Sequence, residues 1–183
     1  MDNLITITKS DLAEAKKVHK LISEFAGSEV DFAGRLQGKT HLIITARHNG
    51  ELAGYSISYD TFNDGSLYCW MGCVVDSKLR QSVYQVMADY REEFAKKKGG
   101  RKLRLKTRNT RRGMLSWLVK QGWFCMSVEE QSEPGENRIV FEKNFHQNLS
   151  KPEFIERLLA GLNLSPPHLI KHYPPPLKPE ESA

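Results

Sequence analysis

The chain has 183 residues, enough for one ordinary domain with an appendage, and 39% of them are hydrophobic and 27% charged, which is typical of a globular protein. No apolar run approaches the roughly 20 residues that cross a bilayer, and the first residues lack the basic and apolar segments of a secretory signal. The three cysteines form no Cys-x-x-Cys pair, so we expect a reducing, cytoplasmic location.

Strands and helices alternate in the first half of the chain. Apolar residues at helical spacing follow Ser10, which has the side chain of a helix N-cap. Asn49 and Gly50 separate two apolar runs, which is a signal for a β-hairpin. The predicted elements are a strand at 4–7, a helix at 11–26, a loop with one weak helical turn at 27–38, strands at 40–47 and 51–59, and a nearly continuous apolar strand at 66–75.

The second half continues this alternation and then changes in composition. The predicted elements are a helix after residue 79 that ends at Gly99 and Gly100, a strand at 102–107, a helix at 110–121, and strands at 123–130 and 138–145. After Phe145 come a short amphipathic helix at 152–162 and a proline-rich remainder. We therefore predict one domain at 1–146 and an extension at 147–183. Its helix either folds back onto its own domain or docks on a partner, including a second copy of the chain in a homodimer.

The order of these elements resembles that of the GCN5-related N-acetyltransferase (GNAT) superfamily across residues 4–145. Three segments carry the resemblance: 74–80 (VVDSKLR) is similar to the end of the family's central strand, 102–109 (KLRLKTRN) to its next strand, and 115–124 (LSWLVKQGWF) to its last helix. The resemblance implies an α/β fold with a mixed central sheet of about six to seven strands flanked by helices. It also implies acetyl-CoA, or another acyl-CoA, bound where the strands 66–75 and 102–107 splay apart.

The loop that binds the cofactor in this family is altered here. The family's Arg/Gln-x-x-Gly-x-Gly/Ala pattern, which brings backbone N–H groups at a helix start to the pyrophosphate, aligns from Arg80. Its glycine positions then fall on Gln81, Val83 and Gln85, and the β-branched Val83 resists a positive φ. By resemblance, the thioester contacts the backbone of Val74 and Val75, and the phosphates lie near Arg80, Gln81, Ser82, Val83, Tyr84 and Gln85.

The proton-transfer residues that are usual in the family are also replaced. Its glutamate base aligns nearest to Cys69 and its tyrosine acid aligns with Leu118, and neither side chain transfers protons as a carboxylate or phenol does. Two residues remain as catalytic candidates. Asn109 follows a strand and either binds a ligand or caps the next helix, and Cys73 is either an acyl-accepting nucleophile or a buried structural cysteine.

Other side chains with metal-binding chemistry have structural explanations. Cys69 and Cys73 lie four residues apart on one predicted strand, so we expect them to share a face, but a zinc site needs more ligands than these. His168 and His172 lie in the proline-rich tail. We therefore expect no metal site.

Positive charge is concentrated in one segment of a chain whose net charge is +5. Seven of the twelve residues from Arg101 to Arg112 are basic, and alternation along the strand places four of them on one face. That face either meets an anionic partner, such as nucleic acid or an acidic protein, or is a partly uncovered sheet with solvated side chains. The candidate acceptor-binding residues are Lys102, Arg104, Lys106, Arg108, Arg111 and Arg112.

The residues and the resemblance together predict an acyl-CoA-dependent N-acyltransferase, with acetyl as the expected acyl group, that acts on an amine of an anionic or polymer-bound acceptor. The thioester is expected to be positioned and polarised for direct attack by the amine. Two alternatives stay open. One is a non-catalytic nucleic-acid- or protein-binding module of the same fold, which the altered loop favours, and the other is a diverged enzyme of this fold that modifies nucleobases.

Overall fold

A computed structural model of the chain describes residues 4–22, 29–62 and 64–145, which form a seven-stranded mixed sheet flanked by helices. The strands lie in the order β1-β2-β3-β4-β5-β7-β6, and neighbours are antiparallel except β4 and β5. This confirms the predicted α/β fold. The elements are β1 (Ile5–Lys9), α1 (Leu12–Leu21), α2 (Phe32–Leu36), β2 (His41–His48), β3 (Glu51–Tyr59), β4 (Ser66–Val74), α3 (Arg80–Lys97), β5 (Lys102–Arg108), α4 (Arg112–Lys120), β6 (Phe124–Glu129) and β7 (Arg138–Asn144).

The predicted elements agree closely with the observed ones in the centre of the chain. β3 has the predicted bounds, and β4 ends one residue before the predicted strand 66–75 does. The weak helical turn predicted within 27–38 is α2, whose N-cap Asp31 accepts a hydrogen bond from the N–H of Gly34 at 2.8 Å. The turn predicted at Pro134 is a 3-10 turn over Pro134–Glu136.

The first helix begins with a different cap from the predicted one. Asp11, not Ser10, is the N-cap of α1, and its carboxylate accepts the N–H of Glu14 at 2.8 Å. The Ser10 hydroxyl instead donates to the Glu14 carboxylate, which also pairs with Arg47 of β2. These bonds attach the start of α1 to the sheet. The end of the predicted helix, residues 23–26, lies outside the described residues.

Helices cover both faces of the sheet. On one face α1 and α2 pack against the β2–β4 region through a cluster that includes Val18, Phe32 and Ile57. On the opposite face α3 covers the same strands, and α4 packs on β5 and β7 through Leu118. Within the described ranges, no helix is both long and apolar enough to cross a membrane. The predicted helix 152–162 and the proline-rich tail lie outside the described residues.

Candidate active site

A slot opens where β4 and β5 stop pairing. The two parallel strands pair from Ser66 with Lys102 as far as Cys69 with Leu105. β4 then continues to Val74, paired only with β3, while β5 continues along β7. The β5-facing edge of β4 beyond Cys69 therefore has no strand partner in the described part of the chain, and its backbone groups line the slot where the sequence predicted one.

Two aromatic side chains occupy the slot on the α3 and α4 side. The ring of Tyr84 lies against Gly72 in the unpaired part of β4, so closely that a β-carbon at position 72 would be 3.0 Å from Cε2 of the ring. Trp117 of α4 meets the Tyr84 ring edge-on, with 5.0 Å between the ring centroids, and its Nε1 donates to Oε1 of Gln85 at 3.1 Å. Gln85 also contacts Gln121 of α4 at 3.4 Å. These contacts join α3 to α4 and close this side of the slot.

The start of α3 differs from the glycine-rich loop of the family pattern. A 3-10 turn at Ser77–Leu79 runs directly into α3, so the segment from Arg80 is helical. The N–H of Lys78 donates to the carboxylate of Asp76 at 2.8 Å, and the N–H of Arg80 donates to the carbonyl of Ser77. The first amides of the segment are thus already used, and a carboxylate lies where the pattern would place a phosphate.

The predicted phosphate contacts have different positions on α3. Arg80, Gln81 and Ser82 are exposed, so their role as phosphate contacts stays a prediction. Val83 is 0% exposed because it packs under the helix against Val74. Its side chain is part of the core.

Arg91 is a buried cation at the closed end of the slot that the sequence analysis missed. The residue is 2% exposed, and its Nη1 donates to Oγ of Ser56 on β3 at 3.1 Å. Its Nε and Nη2 have no hydrogen-bond partner among the described residues. A signal for Arg91 exists in the sequence, because it follows Val83 and Met87 at spacings of four and so interrupts the apolar face of α3.

The two cysteines of β4 lie on opposite faces of the sheet, so the prediction that they share a face is wrong. A β-bulge at Trp70 adds one residue to β4, with the result that Cys69 pairs with Ser58 and Cys73 pairs with Tyr55. Cys69 joins the cluster under α3 and α4, and Cys73 packs on the α1 side. Because the bulge is set by the partner strand, alternation along β4 alone could not reveal it.

Cys73 is a poor nucleophile in this setting. Burial raises the pKa of its thiol to about 11, so the thiol is protonated at neutral pH, whereas the thiolate is the reactive form. The nearest histidine, His19 of α1, shares a hydrogen bond of 2.7 Å with the hydroxyl of Tyr55, which in turn interacts with Cys73. Burial lowers the pKa of His19. His19 therefore reaches Cys73 only through Tyr55.

Asn109 ties the end of β5 to the connection between β6 and β7. Its Nδ2 donates to the carbonyl of Pro134 at 2.8 Å, and its N–H donates to the carbonyl of Asn137 at 2.9 Å. It does not cap α4, whose N-cap position is Arg111 without a side-chain hydrogen bond. The Oδ1 atom is buried and has no partner within the described ranges. A ligand role for Asn109 stays a prediction.

The cations of β5 are paired with carboxylates of the domain itself. Arg104 and Lys102 both contact Glu142 of β7, and Arg104 lies 3.0 Å from Asp64. Lys106 pairs with Glu129 at 2.5 Å, and Arg108 pairs with Glu136 at 2.8 Å. The counter-charge that four aligned cations require is therefore internal. Binding of an anionic acceptor at this face stays a prediction, and such an acceptor would compete with these carboxylates.

Metal binding has no support in this region. Among the described residues, no group of three or more His, Cys, Asp or Glu side chains is placed to hold an ion. Cys69, Cys73 and Cys125 are free thiols. The chemistry of the slot thus depends on backbone groups, on neutral side chains and on Arg91.

Comparison with known proteins relates this arrangement to solved acetyltransferase structures, whereas no family model and no curated protein matches the sequence. The ribosomal-protein-S18-alanine N-acetyltransferase from Escherichia coli is 17% identical with a TM-score of 0.65, over 80% of this chain and 99% of that one. Aminoglycoside 6'-acetyltransferase type Ii is 15% identical with a TM-score of 0.65, over 79% and 99%. A GNAT family acetyltransferase from Elizabethkingia anophelis with acetyl-CoA bound is 19% identical with a TM-score of 0.62, over 79% and 100%.

At these identities the similarity defines the fold. The described domain has the architecture of the GNAT acetyltransferases, as the order of its elements predicted. The similarity covers nearly the whole length of each solved structure, so the domain has the size of a complete GNAT fold.

Proposed function

We propose that this protein is an acyl-CoA-dependent N-acyltransferase whose thioester lies between β4 and β5. The observation that carries the proposal is the end of β4–β5 pairing at Cys69 and Leu105, which leaves the β4 edge up to Val74 without a strand partner. An unpaired strand edge binds extended chains that carry amides. The pantetheine arm of coenzyme A is such a chain, and two solved structures with the same fold hold coenzyme A or acetyl-CoA.

Tyr84 and Trp117 must move before a thioester can enter this slot. Their rings meet over Gly72, in the part of β4 that a pantetheine arm would follow. Rotation of Tyr84 about its side-chain bonds opens the slot without a change of backbone, because its contact with Gly72 is made by ring atoms. The closed state lowers the apparent affinity for the thioester in proportion to its population.

Positioning and polarisation account for the chemistry in this proposal. The amine attacks the thioester carbonyl, the C–S bond breaks, and the coenzyme A thiol leaves with the proton that the amine loses to solvent. Backbone N–H groups on the unpaired β4 edge donate to the oxygen on which negative charge develops. Cys69 and Leu118 stand at the family's acid and base positions, and the Cys73 thiol is protonated, so the amine is proposed to arrive deprotonated.

The acceptor is proposed to approach from the face of β5 that carries the basic side chains. Lys102 and Arg104 are about one-fifth exposed there, at 21% each, beside Asp64 and Glu142. A polymer-bound or anionic acceptor would have to replace these carboxylates, whereas a neutral amine would not. The proposal therefore extends to an amine acceptor of either charge.

A second candidate function is a non-catalytic binding module. The contact of Tyr84 with Gly72 and Trp117 fills the slot, and the Asp76 carboxylate holds an amide at the start of α3. Both observations favour a domain whose slot stays shut. In that case the partner binds elsewhere on the surface, and the thioester has no effect.

Thermal stability in the presence of acetyl-CoA separates the two candidates. At 1 mM acetyl-CoA (about the concentration of a weak ligand site), the enzyme candidate predicts a rise in Tm. The rise should grow in Tyr84→Ala, which removes the closed state, and shrink in Arg80→Ala. Tyr90→Ala, on the same helix away from Gly72, controls for the general loss of stability. No rise in any variant contradicts the enzyme candidate, and a rise with duplex DNA alone, steeply dependent on salt, supports the binding module.

A further inference from the structure

Arg91 carries a positive charge that no carboxylate in the described domain neutralises. Arginine stays protonated in proteins, and an isolated buried charge is strongly unfavourable. The adjacent carboxylate, Glu92, binds Lys96 at 2.7 Å and Lys143 at 2.6 Å. The other titratable groups that interact with the guanidinium are Cys69 and Tyr84, and burial raises the pKa of both, so both are neutral at neutral pH.

The guanidinium lies beside the point where the slot closes. Its hydrogen-bond partner Ser56 donates in turn to the carbonyl of Met71, the residue after the bulge in β4. It interacts with Cys69, the last residue of β4 that pairs with β5. Cys69 also faces Ser58, whose buried Oγ has no partner among the described residues. Unsatisfied polar atoms of two strands and a helix thus surround the closed end.

The unsatisfied atoms of Arg91 have the geometry of a carboxylate receptor. Nη1 is occupied by Ser56, whereas Nε and Nη2 are both unpartnered among the described residues. Nε and Nη2 form one edge of the guanidinium plane, and two parallel N–H groups on one edge match the two oxygens of a carboxylate. The hydroxyl of Ser58 can donate a third hydrogen bond.

We propose that Arg91 anchors an anion subsite that binds a carboxylate at the far end of the acyl group, so that the thioester is that of a dicarboxylic acid. The inference rests on the proposed function, because the thioester must lie in the slot between β4 and β5. Its acyl group then points toward the closed end, where Arg91 and Ser58 lie. An acetyl group would leave the guanidinium unpaired, and a succinyl group would neutralise it.

Binding of two thioesters to the purified protein tests the subsite. Calorimetry with succinyl-CoA and acetyl-CoA should show succinyl-CoA bound at least about tenfold more tightly, the size expected for a charge-assisted bidentate contact. The preference should disappear in Arg91→Met and shrink in Arg91→Lys, which keeps the charge without the fork. Arg47→Met, at a surface ion pair of β2, is the matched control and should keep the preference.

Stability gives a second readout that a merely structural arginine would not produce. In a buffer without small carboxylates, Arg91→Met should melt at a higher temperature than the wild type, because it removes an unpaired buried charge. A lower melting temperature in that buffer would show that internal partners satisfy the guanidinium, and would overturn the subsite.

The outcomes distinguish the two proposals. If both thioesters bind equally, the subsite is overturned and the proposed acyltransferase stands. If neither thioester binds, the proposed function fails, and free succinate decides the subsite alone: a Tm rise in the wild type that is absent from Arg91→Met keeps an anion site for free carboxylates. No rise with succinate overturns it.

Discussion

The ring of Tyr84 rests on the backbone of Gly72, in the one stretch of β4 that β5 leaves uncovered within the described domain. A β-carbon on Gly72 would come to 3.0 Å from Cε2 of the ring, a separation that side chains essentially never adopt. The absence of a side chain at position 72 thus lets an α3 residue lie in the slot and contact Trp117 of α4. Opening of the slot and packing of α3 on α4 depend on the same side chain.

Gly72→Ala should displace the Tyr84 ring and loosen the contact between α3 and α4. The neighbouring atom belongs to the end of a side chain that can rotate, so we expect a modest loss of about 1–2 kcal/mol in the free energy of unfolding. Urea denaturation measures the loss, and a red shift of tryptophan emission reports Trp117. Gly113→Ala in α4 is the control, because a β-carbon there meets nothing within 4 Å. Equal behaviour of the two variants would contradict the proposed packing.

Gly54→Ala should be more damaging than Gly72→Ala. A β-carbon on Gly54 of β3 would lie 2.7 Å from the backbone carbonyl oxygen of Cys73, and Val83 and Met87 are each 3.3 Å away on the α3 side. A backbone oxygen in a paired strand cannot rotate away, so β3 and β4 must separate locally. We expect a loss of about 3 kcal/mol, at the upper end for an overpacked site. Chemical denaturation gives the value, and a loss below that of Gly72→Ala would contradict this account.

The order of the elements and the position of the slot could be predicted from the sequence because they depend on local patterns. The apolar run 66–75 marks a buried central strand, and the turn at Asn49-Gly50 fixes the hairpin beside it, with positive φ at both residues. Alternation also placed the β5 cations on one face correctly. Their partners, such as Glu142, come from β7, far along the chain, and no local pattern shows them.

The parts of the site that the sequence did not reveal depend on contacts between distant segments. The bulge at Trp70 arises from pairing with β3, and it reverses the face of Cys69 relative to Cys73. The pattern treated Val83 as a failed glycine, whereas Val83 is a core residue because α3 begins earlier than the family's helix. Arg91 was missed because an arginine in an apolar stripe is usually read as a surface residue.

Burial of His19 should make the protein less stable as the pH falls from 7.5 to 5.5. Its pKa is lowered in the folded state, so the unfolded chain binds more protons near pH 6.5, and stability is lost below that value. One buried histidine accounts for about 1 kcal/mol over this interval. Hydrogen bonds from Ser10 and Ser66 lower the pKa values of Glu14 and Asp64, whose stabilisation is lost only below about pH 4.5. His19→Gln should flatten the profile, measured by urea denaturation at each pH, and an unchanged slope would contradict this assignment.

Removing the carboxylates that neutralise β5 should create binding to polyanions that the wild type lacks. The triple variant Glu129→Gln, Glu136→Gln, Glu142→Gln leaves Lys106 and Arg108 unpaired and Arg104 with Asp64 alone. Duplex DNA should then bind with an affinity that falls steeply with salt, in proportion to the phosphates contacted. At 0.15 M salt (roughly physiological ionic strength), the wild type should bind at least about tenfold more weakly, because each cation already has an internal partner. Fluorescence anisotropy across a salt series measures both proteins. Tight binding by the wild type would show instead that nucleic acid displaces these carboxylates, as the anionic-acceptor prediction requires.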